Sequence, residues 1–417
     1  MRRLELSIER LSKSGDGVAQ VGGRAVFVSG ALPGETVLAE VVESGKALRG
    51  ELQAVLVPSP ARRAPACPLA DSCGGCDWLH VDEAVQLAQK QEIVLSALEH
   101  VGGLDRGALA LLPTVASPRR LGSRRRAVLH QANGRLGFFG RRSHTRVEVN
   151  RCPALTAPLE SLPGELADAL GPAAKDLEEV HLLESRGRVT VSLHLKGAPK
   201  PRHQALLEGL VRQGRVVGAV LVPGARGAVT TYGQATLEED GVLLRPDGFA
   251  QANAEVNALL VKAAVEALGL TGAEAVLELY AGNGNFTFAL ASQAKEVVAV
   301  ESTPISVQLA QQVARSRALA HVRFVQGDAE KVTQGLLRES KRFDRLLLDP
   351  PRTGAQGVGT WASRLLVSRV VYVACDPAAL ARDAAALLDE GYRPVSLQLF
   401  DLFPQTRHIE ALFTCAR

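Results

Sequence analysis

AVLELYAGNGN, residues 275–285, is an apolar run that leads directly into two glycines. Continuous apolar runs of this kind are typical of strands buried on both faces of a parallel sheet. Glycines where such a strand meets a helix let the backbone come close to a ligand at the helix N-terminus. The stretch therefore predicts a nucleotide-binding α/β domain in this part of the chain.

Apolar runs alternate with helical patterns from Val276 to the end of the chain. The later runs are EVVAVE, HVRFVQGD, RLLLDPP, VVYVAC, PVSLQLFDLF and EALFTC. This alternation predicts a doubly wound, Rossmann-like sheet. The second strand ends in Glu301 and the third in Asp328, where carboxylates can bind ribose hydroxyls and an adenine edge.

The glycine loop departs from the dinucleotide-binding pattern. That pattern requires a third glycine at position 287, where this chain has a threonine. The chain has an acidic residue, then Gly282-x-Gly284, and then Glu301, which is placed to bind a ribose. This order looks like the S-adenosylmethionine site of Rossmann-like methyltransferases. We therefore favour a methyltransferase over a nicotinamide-dependent enzyme.

The fourth strand ends in Asp349, followed by two prolines and Arg352. Amino-group methyltransferases usually have an aromatic residue after the prolines, and cytosine-5 RNA methyltransferases usually have a cysteine. Cys375, at the end of the fifth strand, is instead the candidate nucleophile. Uracil C5 attacks a methyl donor only after a nucleophile adds to C6, and a base such as Glu410 must then remove H5. A helix beginning at Pro377 is expected to lower the pKa of the Cys375 thiol; the competing interpretation is a buried packing cysteine.

Four motifs together resemble the RNA uracil-5 methyltransferase family, which includes bacterial 23S ribosomal RNA and transfer RNA enzymes. They are FAQANAEVN, LDPPRTG, CDPAALARD and FPQTRHIE. The resemblance implies that Cys375 is the nucleophile and Glu410 the base. It implies S-adenosylmethionine as methyl donor, bound by Gln251, Tyr280, Gly282, Gly284, Asn285, Glu301, Asp328 and Asp349. Asp376 and Ala281 stand where Asn and Cys are more frequent in the family.

A cysteine-rich stretch, CPLADSCGGC, lies outside the methyltransferase motifs. It contains Cys67, Cys73 and Cys76, and Cys152 follows at a distance. A zinc ribbon normally has two Cys-x-x-Cys pairs, and this chain has one. The spacing resembles the iron–sulfur subgroup of the family, which implies a [4Fe-4S] cluster on these four thiolates. Zinc is the less favoured metal, and Cys415 is predicted to be a core residue.

The first 58 residues consist of short alternating runs separated by Gly, Asp and Pro, which predicts a small β-barrel. The resemblance implies an OB-like TRAM domain that binds RNA. The expected fold class is α/β, with a TRAM barrel, a central α+β iron–sulfur domain and a C-terminal methyltransferase domain. The expected boundaries are 1–58 for the barrel, 59–78 and 111–246 for the central domain, and 79–110 and 247–417 for the methyltransferase domain.

The chain has 417 residues, 46% hydrophobic and 22% charged, as expected of a globular protein of two or three domains. No run resembles a signal peptide or is long enough to cross a membrane, so a cytoplasmic location is expected. The protein is also expected to be a monomer. Net charge is only +4. Local clustering is stronger evidence for RNA binding, since five arginines fall within eight residues and could contact phosphates. They are Arg119, Arg120, Arg124, Arg125 and Arg126.

The identity of the RNA is inferred by analogy. Transfer RNA enzymes of the family generally lack both the TRAM domain and the cluster, which favours 23S ribosomal RNA as the partner. A tRNA uridine-5 methyltransferase is the competing enzyme assignment. A non-catalytic RNA-binding protein on the same fold and a small-molecule methyltransferase are two further candidate functions, and transfer of labelled methyl groups to RNA would distinguish them.

Overall fold

The structure, a computed structural model, describes residues 2–12, 14–44, 47–224 and 227–417. The N-terminal part is a β-sheet with the strand order β1-β5-β6-β4-β3-β2. Its strands are β1 (Arg2–Ser7), β2 (Arg10–Leu11), β3 (Gly17–Val21), β4 (Arg24–Val28), β5 (Thr36–Ser44) and β6 (Ala47–Val57). Gly22 and Gly23 both have positive φ and form the tight turn between β3 and β4. Val26, Val28 and Val37 are among the residues of its core.

A connecting segment carries helix α1 (Glu83–His100), a short 3₁₀ helix (Arg106–Ala108) and strand β7 (Ala110–Leu111). The side chain of Asp82 caps α1 by accepting a hydrogen bond from the backbone N–H of Ala84 (3.1 Å). Val94 and Leu98 on α1 are buried in the core of the C-terminal domain.

The central part is a sheet with the strand order β10-β9-β8-β11-β12-β13-β14. Its elements are β8 (Arg126–Ala132), β9 (Arg135–Phe139), β10 (Arg146–Glu148), α2 (Leu162–Leu170), a 3₁₀ helix (Gly171–Asp176), β11 (Leu177–Ser185), β12 (Arg188–Leu195), α3 (Pro201–Arg212), β13 (Gly218–Val222) and β14 (Thr230–Gly233). Helices α2 and α3 cover one face, where Leu129, Leu166 and Leu207 are fully buried. A hairpin of β15 (Leu237–Glu239) and β16 (Val242–Leu244) follows.

The C-terminal part is a mainly parallel sheet with the strand order β19-β18-β17-β20-β21-β23-β22-β7. Its elements are α4 (Ala254–Leu268), β17 (Ala275–Leu279), α5 (Thr287–Ala291), β18 (Glu296–Glu301), α6 (Pro304–Ser316), β19 (Val322–Gln326), α7 (Ala329–Arg338), β20 (Arg345–Leu348), α8 (Val358–Arg364), β21 (Arg369–Ala374), α9 (Pro377–Asp389), β22 (Arg393–Phe400) and β23 (Glu410–Ala416). Strand β23 is antiparallel to both of its neighbours.

The chain order reverses between β17 and β20, which is where open α/β sheets bind their ligands. Tyr280, Asp349 and Cys375 directly follow β17, β20 and β21, so the topology brings them to the same edge of the sheet. The connecting segment packs here as well: β7 pairs with β22, and α1 packs against α9.

Candidate active site and cysteine pocket

Cys375 lies between the end of β21 and the start of α9. Strand β23 runs antiparallel to β21, with Ala374 opposite Ala411. The next position on each strand is Cys375 on one side and Glu410 on the other. These two residues are distant in the sequence, and the antiparallel insertion of β23 makes them neighbours.

The charges around Cys375 come mainly from acids. Burial raises the pKa of its thiol to about 12, and the carboxylates of Glu410 and Asp349 add to the effect, while Arg352 opposes it. The net shift of the thiol pKa is therefore upward, opposite to the lowering expected from the helix. The side chain of Asp376 caps α9 and accepts hydrogen bonds from the first free backbone N–H groups, those of Ala378 (3.0 Å) and Ala379 (2.8 Å).

Glu410 is 4% exposed, and its Oε2 has no hydrogen-bond partner among the described residues. Burial and the nearby Asp349 carboxylate raise its pKa well above the usual range, and Arg352 partly opposes them. Burial also raises the pKa of Asp349 to about 7. Closely spaced acids do not all ionise together, so burial and the neighbouring Asp349 favour the protonated form of Glu410.

Arg352 was not among the predicted functional residues, although it follows the prolines that end the fourth strand. It is exposed, and it lowers the pKa of both Cys375 and Glu410. A cation beside a thiol and a carboxyl group favours the charged forms of both.

The glycine loop is held by the ribose acid predicted from sequence. The carboxylate of Glu301 accepts hydrogen bonds from the backbone N–H of Gly282 (2.9 Å) and of Thr303 (2.7 Å). Tyr280, just before the loop, has a φ of 64°, which is uncommon for a bulky residue and indicates a constrained backbone. Tyr280 and Asp328 line one pocket together with Gly354 and neighbouring residues of the loop after β20.

Two other predicted ligands lie in a different pocket. Gln251 and Asn285 line a cavity on the α4 side of the glycine loop, with Asn257 and Asn283. The side-chain amides of Asn257 and Asn285 donate to each other (2.9 and 3.1 Å). The amide of Gln251 also lies 3.4 Å from the Asp349 carboxylate. The structure thus divides the predicted ligands between the two sides of the loop, and Gln251 connects one side to Asp349.

Glu278 is the acidic residue that begins the methyltransferase-like pattern, and no specific contact was predicted for it from sequence. It is fully buried, and burial raises its pKa to about 8. The hydroxyl of Thr287 donates to its Oε2 (2.6 Å), and its Oε1 has no partner among the described residues. Thr287 occupies the position of the third glycine in the dinucleotide-binding pattern. The residue that departs from that pattern is therefore the hydrogen-bond partner of Glu278. An acidic residue within an apolar strand was the signal that could have identified it.

A separate pocket collects the four cysteines of the cysteine-rich motif. Its lining includes Cys67, Cys73, Cys76 and Cys152, together with apolar side chains and Arg124. The guanidinium of Arg124 lies 3.6 Å from the Cys76 sulfur. Burial raises the pKa values of three of these thiols, that of Cys152 to about 11, and the neighbouring sulfurs contribute to these shifts.

The thiols of this pocket do not converge on a single point. No group of three or more His, Cys, Asp or Glu side chains in the described ranges is arranged to hold one metal ion. Ligands of one zinc ion must all lie close to one centre. In a four-iron cluster, the four thiolates bind the cluster as a whole, and a shared apolar pocket is compatible with that arrangement. Cys415 is separate and packs in the core, as expected.

The predicted arginine patch is only partly a surface patch. Arg119 and Arg120 have side chains that are 58% and 39% exposed and that pair with Glu255 (2.8 Å) and Glu83 (3.1 Å). Their guanidinium groups can exchange these surface partners for phosphates at little cost.

The side chains of the other three arginines make hydrogen bonds within the protein. Arg124 donates to the carbonyl oxygen of Gly75 (2.9 Å) in the cysteine pocket. Arg125 is 4% exposed and donates to the carbonyl oxygen of Gln251 (2.8 Å). Arg126 donates to a backbone carbonyl just before α4 (3.2 Å). The prediction of one five-arginine RNA patch is therefore corrected: these three connect the central sheet to the cysteine pocket and the active site.

In the part of the chain that the structure describes, no helix has the length and hydropathy of a membrane span. Two family models match the sequence. The tRNA (uracil-5-)-methyltransferase model matches residues 243–416, and the TRAM domain model matches residues 2–53.

Proteins similar to this chain along its length include two bacterial enzymes. A 23S rRNA (uracil(1939)-C(5))-methyltransferase of Pseudomonas putida is 36% identical, and the match covers 99% of this chain and 93% of the relative. The enzyme of the same name from Vibrio cholerae is 37% identical, with 98% and 94% covered.

A solved structure similar to this chain is that of a Pyrococcus abyssi tRNA (uracil-54, C5)-methyltransferase in complex with S-adenosyl-L-homocysteine. The TM-score is 0.75 at 22% identity, and the match covers 99% of this chain and 100% of the other. At this level of identity the likeness establishes the fold, a mixed α/β architecture with an N-terminal TRAM domain and a methyltransferase domain.

Proposed function

The chain belongs to the RNA uracil-5-methyltransferase family, and from that premise we propose that it methylates C5 of a uridine in 23S ribosomal RNA. The methyl donor is S-adenosylmethionine. Relatives that are 36% and 37% identical over at least 98% of the chain carry the name of a 23S ribosomal RNA enzyme. The N-terminal TRAM match supports an RNA substrate rather than a small molecule.

The observation that carries the mechanism is the placement of Cys375 beside the buried carboxyl of Glu410. As the Cys375 sulfur bonds to uracil C6, its proton passes to the nearby Asp349 carboxylate, and the C5–C6 electron pair moves into an enolate. C5 then bonds to the sulfonium methyl group as the methyl–sulfur bond breaks, which leaves S-adenosylhomocysteine. Glu410 removes H5, the C5–C6 double bond re-forms, and the bond from C6 to Cys375 breaks.

Protonation states set the order of these events. Before the RNA binds, the raised pKa values of Cys375 and Glu410 favour the neutral form of each group. Glu410 must ionise before it can remove H5, and Arg352 favours that ionisation. Asp349, with a pKa of about 7, is able to accept or release a proton near neutral pH. Gln251 contacts Asp349 and can donate to a polar atom of either ligand.

We assign the methyl donor to the edge of the sheet around the glycine loop. Glu301 and Asp328 supply carboxylates for the ribose and the adenine, and Tyr280 forms the wall of the pocket next to Asp328. Gly282 and Gly284 allow close approach of the backbone, since both have positive φ. Asn285 lines the cavity on the other side of the loop, next to Gln251.

The cysteine pocket is proposed to hold a [4Fe-4S] cluster on Cys67, Cys73, Cys76 and Cys152. Four thiols in one largely apolar pocket, with Arg124 beside one sulfur, are suited to an anionic cluster. When bound, such a cluster supplies a rigid cross-link between the segment before α1 and the central domain. We accordingly propose a central iron–sulfur domain of residues 59–78 and 111–246, with residues 79–110 joining the methyltransferase domain.

The experiment that tests the function measures transfer of labelled methyl groups from S-adenosylmethionine to purified RNA. We expect 5-methyluridine in 23S ribosomal RNA and little or none in transfer RNA offered at the same concentration. A transfer RNA product alone would shift the assignment to the tRNA enzymes. Binding of RNA without methyl transfer would favour a non-catalytic RNA-binding protein.

A further inference from the structure

One face of the central sheet carries an exposed aromatic side chain surrounded by cationic and imidazole groups. Phe139, at the end of β9, is 38% exposed. The guanidinium carbon of Arg146 lies 5.7 Å from the centre of its ring. The ring of His130 lies 4.3 Å away and that of His144 lies 6.1 Å away, edge-on. Phe138, the preceding residue, packs on the opposite face against α2 and α3.

Exposed aromatic residues are rare in this protein, since only 4% of the residues are aromatic. Among the described residues, Phe139 and Phe249 are the exposed large aromatics. Phe249 also lies under an arginine, with the guanidinium carbon of Arg126 at 6.0 Å from its ring centre. Arg126 and His130 belong to β8 and are separated by an even number of residues, so both face the same side of the sheet, roughly 13 Å apart along the strand.

This face leads towards the reactive groups. Phe249 stands two positions before Gln251, and the Gln251 amide lies 3.4 Å from the Asp349 carboxylate. At the other end of the face, the backbone of Phe139 is held by the cysteine motif. Its carbonyl oxygen accepts a hydrogen bond from the backbone N–H of Gly74 (2.9 Å). Phe249 and Gln251 line the same cavity, so the Phe249 end of the face lies next to the proposed active site.

We propose that Phe139, with His130 and Arg146, forms a stacking platform for unpaired bases of the RNA strand that carries the target uridine. Aromatic and imidazole rings stack on bases of any sequence, and arginines above the rings neutralise the adjacent phosphates. The spacing along β8 accommodates a few bases stacked about 3.4 Å apart. A double helix cannot use such a platform, because its bases are already stacked on one another. This inference rests on the proposed function and adds a residue that selects single-stranded substrate.

The test compares wild type with Phe139→Ala and Phe139→Tyr, using a short single-stranded RNA in which one base is the fluorescent analogue 2-aminopurine. Val395→Ala is the matched control, because Val395 on β22 is also 38% exposed. We expect Phe139→Ala to bind the single strand about tenfold more weakly and to lose the quenching of the analogue. Phe139→Tyr and Val395→Ala should behave like wild type. KM for RNA should rise in Phe139→Ala, while kcat and binding of S-adenosylmethionine stay the same.

Arg146→Ala provides a second variant, and it should reduce the salt dependence of binding by about one phosphate contact. Equal affinity of Phe139→Ala and wild type for the single strand would overturn the proposal. If Phe139→Ala lost as much affinity for the same sequence as a duplex, the proposal would also be overturned. It would be overturned as well if wild type formed a dimer that Phe139→Ala dissociates, because the face would then bind a second copy of the chain. Quenching by a wild-type protein that transfers no methyl group would keep the platform and reject the proposed function.

Discussion

The two cysteine sites of this protein are both half-buried, but the charges beside them have opposite signs. Cys375 lies next to the carboxyl groups of Glu410 and Asp349, which add to the effect of burial on its pKa. In the four-cysteine pocket, the Arg124 guanidinium opposes the effect of burial on the pKa of Cys76. The environment of Cys375 favours a neutral thiol, whereas Arg124 partly offsets the negative charge of thiolates in the four-cysteine pocket.

This difference separates two uses of one side chain. A thiol that must add to a substrate and leave again benefits from being neutral at rest, because thiolates are the form that oxidises. Thiols that ligate a metal cluster must be deprotonated permanently, and a nearby cation and the metal itself make that possible. Substitutions in each of the two cysteine sites, and in the helix α1, test this comparison.

The largest effect is expected from removing a ligand of the proposed cluster. Protein purified without oxygen should be brown and contain about four irons per chain. Cys152→Ala should lose most of the iron and the visible absorbance, because one of the four thiolates is missing. Cys415→Ala is the matched control and should retain both, since Cys415 packs in the core away from the pocket. Stoichiometric zinc in wild type, or unchanged iron in Cys152→Ala, would contradict the assignment.

A smaller effect is expected from α1, which follows the cysteine-rich stretch in the sequence and packs against α9. Lys90 on α1 is fully buried, and its Nζ donates to the Asp401 carboxylate (2.6 Å) in the segment that leads to Glu410. Lys90→Met should lower the free energy of unfolding by about 3–5 kcal/mol, because it leaves a buried carboxylate unpaired. Urea titration measures the change. The double variant Lys90→Met/Asp401→Leu should recover part of the loss, and equal stability of Lys90→Met and wild type would show that the pair contributes nothing.

The arginines predict a further contrast. Replacing the exposed Arg119 and Arg120 with alanine should reduce the slope of log affinity for RNA against log salt by about two. Iron content should not change. Arg124→Ala should instead lower the iron content and leave the salt dependence of RNA binding nearly unchanged, because Arg124 points into the cysteine pocket. An unchanged slope in the Arg119/Arg120 variant would make these two arginines ordinary solvated surface residues.

The smallest effect concerns pH. In the proposed mechanism the reactive forms are the thiolate of Cys375 and the carboxylate of Glu410, and the pKa values of both groups are raised. The ratio kcat/KM should therefore increase with pH through the neutral range. Arg352 lowers both pKa values, so Arg352→Ala should move the profile to higher pH by roughly 0.5–1 unit. The exposed Arg342→Ala serves as control, and a shift of the Arg352→Ala profile to lower pH would contradict the described electrostatics.

The sequence predicted the elements of the active site better than their arrangement. Strand ends in a doubly wound sheet meet at one edge, so Asp349 and Cys375 could be placed there from periodicity alone. The relatives and family models confirm the family resemblance and the TRAM domain. The position of Glu410 depends on the antiparallel insertion of β23, which local pattern does not specify.

Burial was the main property that the sequence could not provide. The arginines before and within β8 looked equivalent as a cluster, but Arg125 and Arg126 turn to different sides, and Arg125 is buried against Gln251. The helix after Cys375 was expected to lower the thiol pKa, but its free N–H groups are already bonded to the Asp376 side chain. Both differences arise from partners that become visible only when side chains are placed in three dimensions.

The central claim is that Cys375 bonds to the uridine and that Glu410 releases it. Glu410→Gln should still add Cys375 to C6 and methylate C5, but it cannot remove H5. The measurement is a denaturing gel of Glu410→Gln after incubation with 23S ribosomal RNA and labelled S-adenosylmethionine. We predict a slowly migrating, labelled protein–RNA adduct that RNase removes and that is absent from Glu410→Gln/Cys375→Ala. Substantial methylation by Cys375→Ala alone would contradict the account and make Cys375 a packing residue.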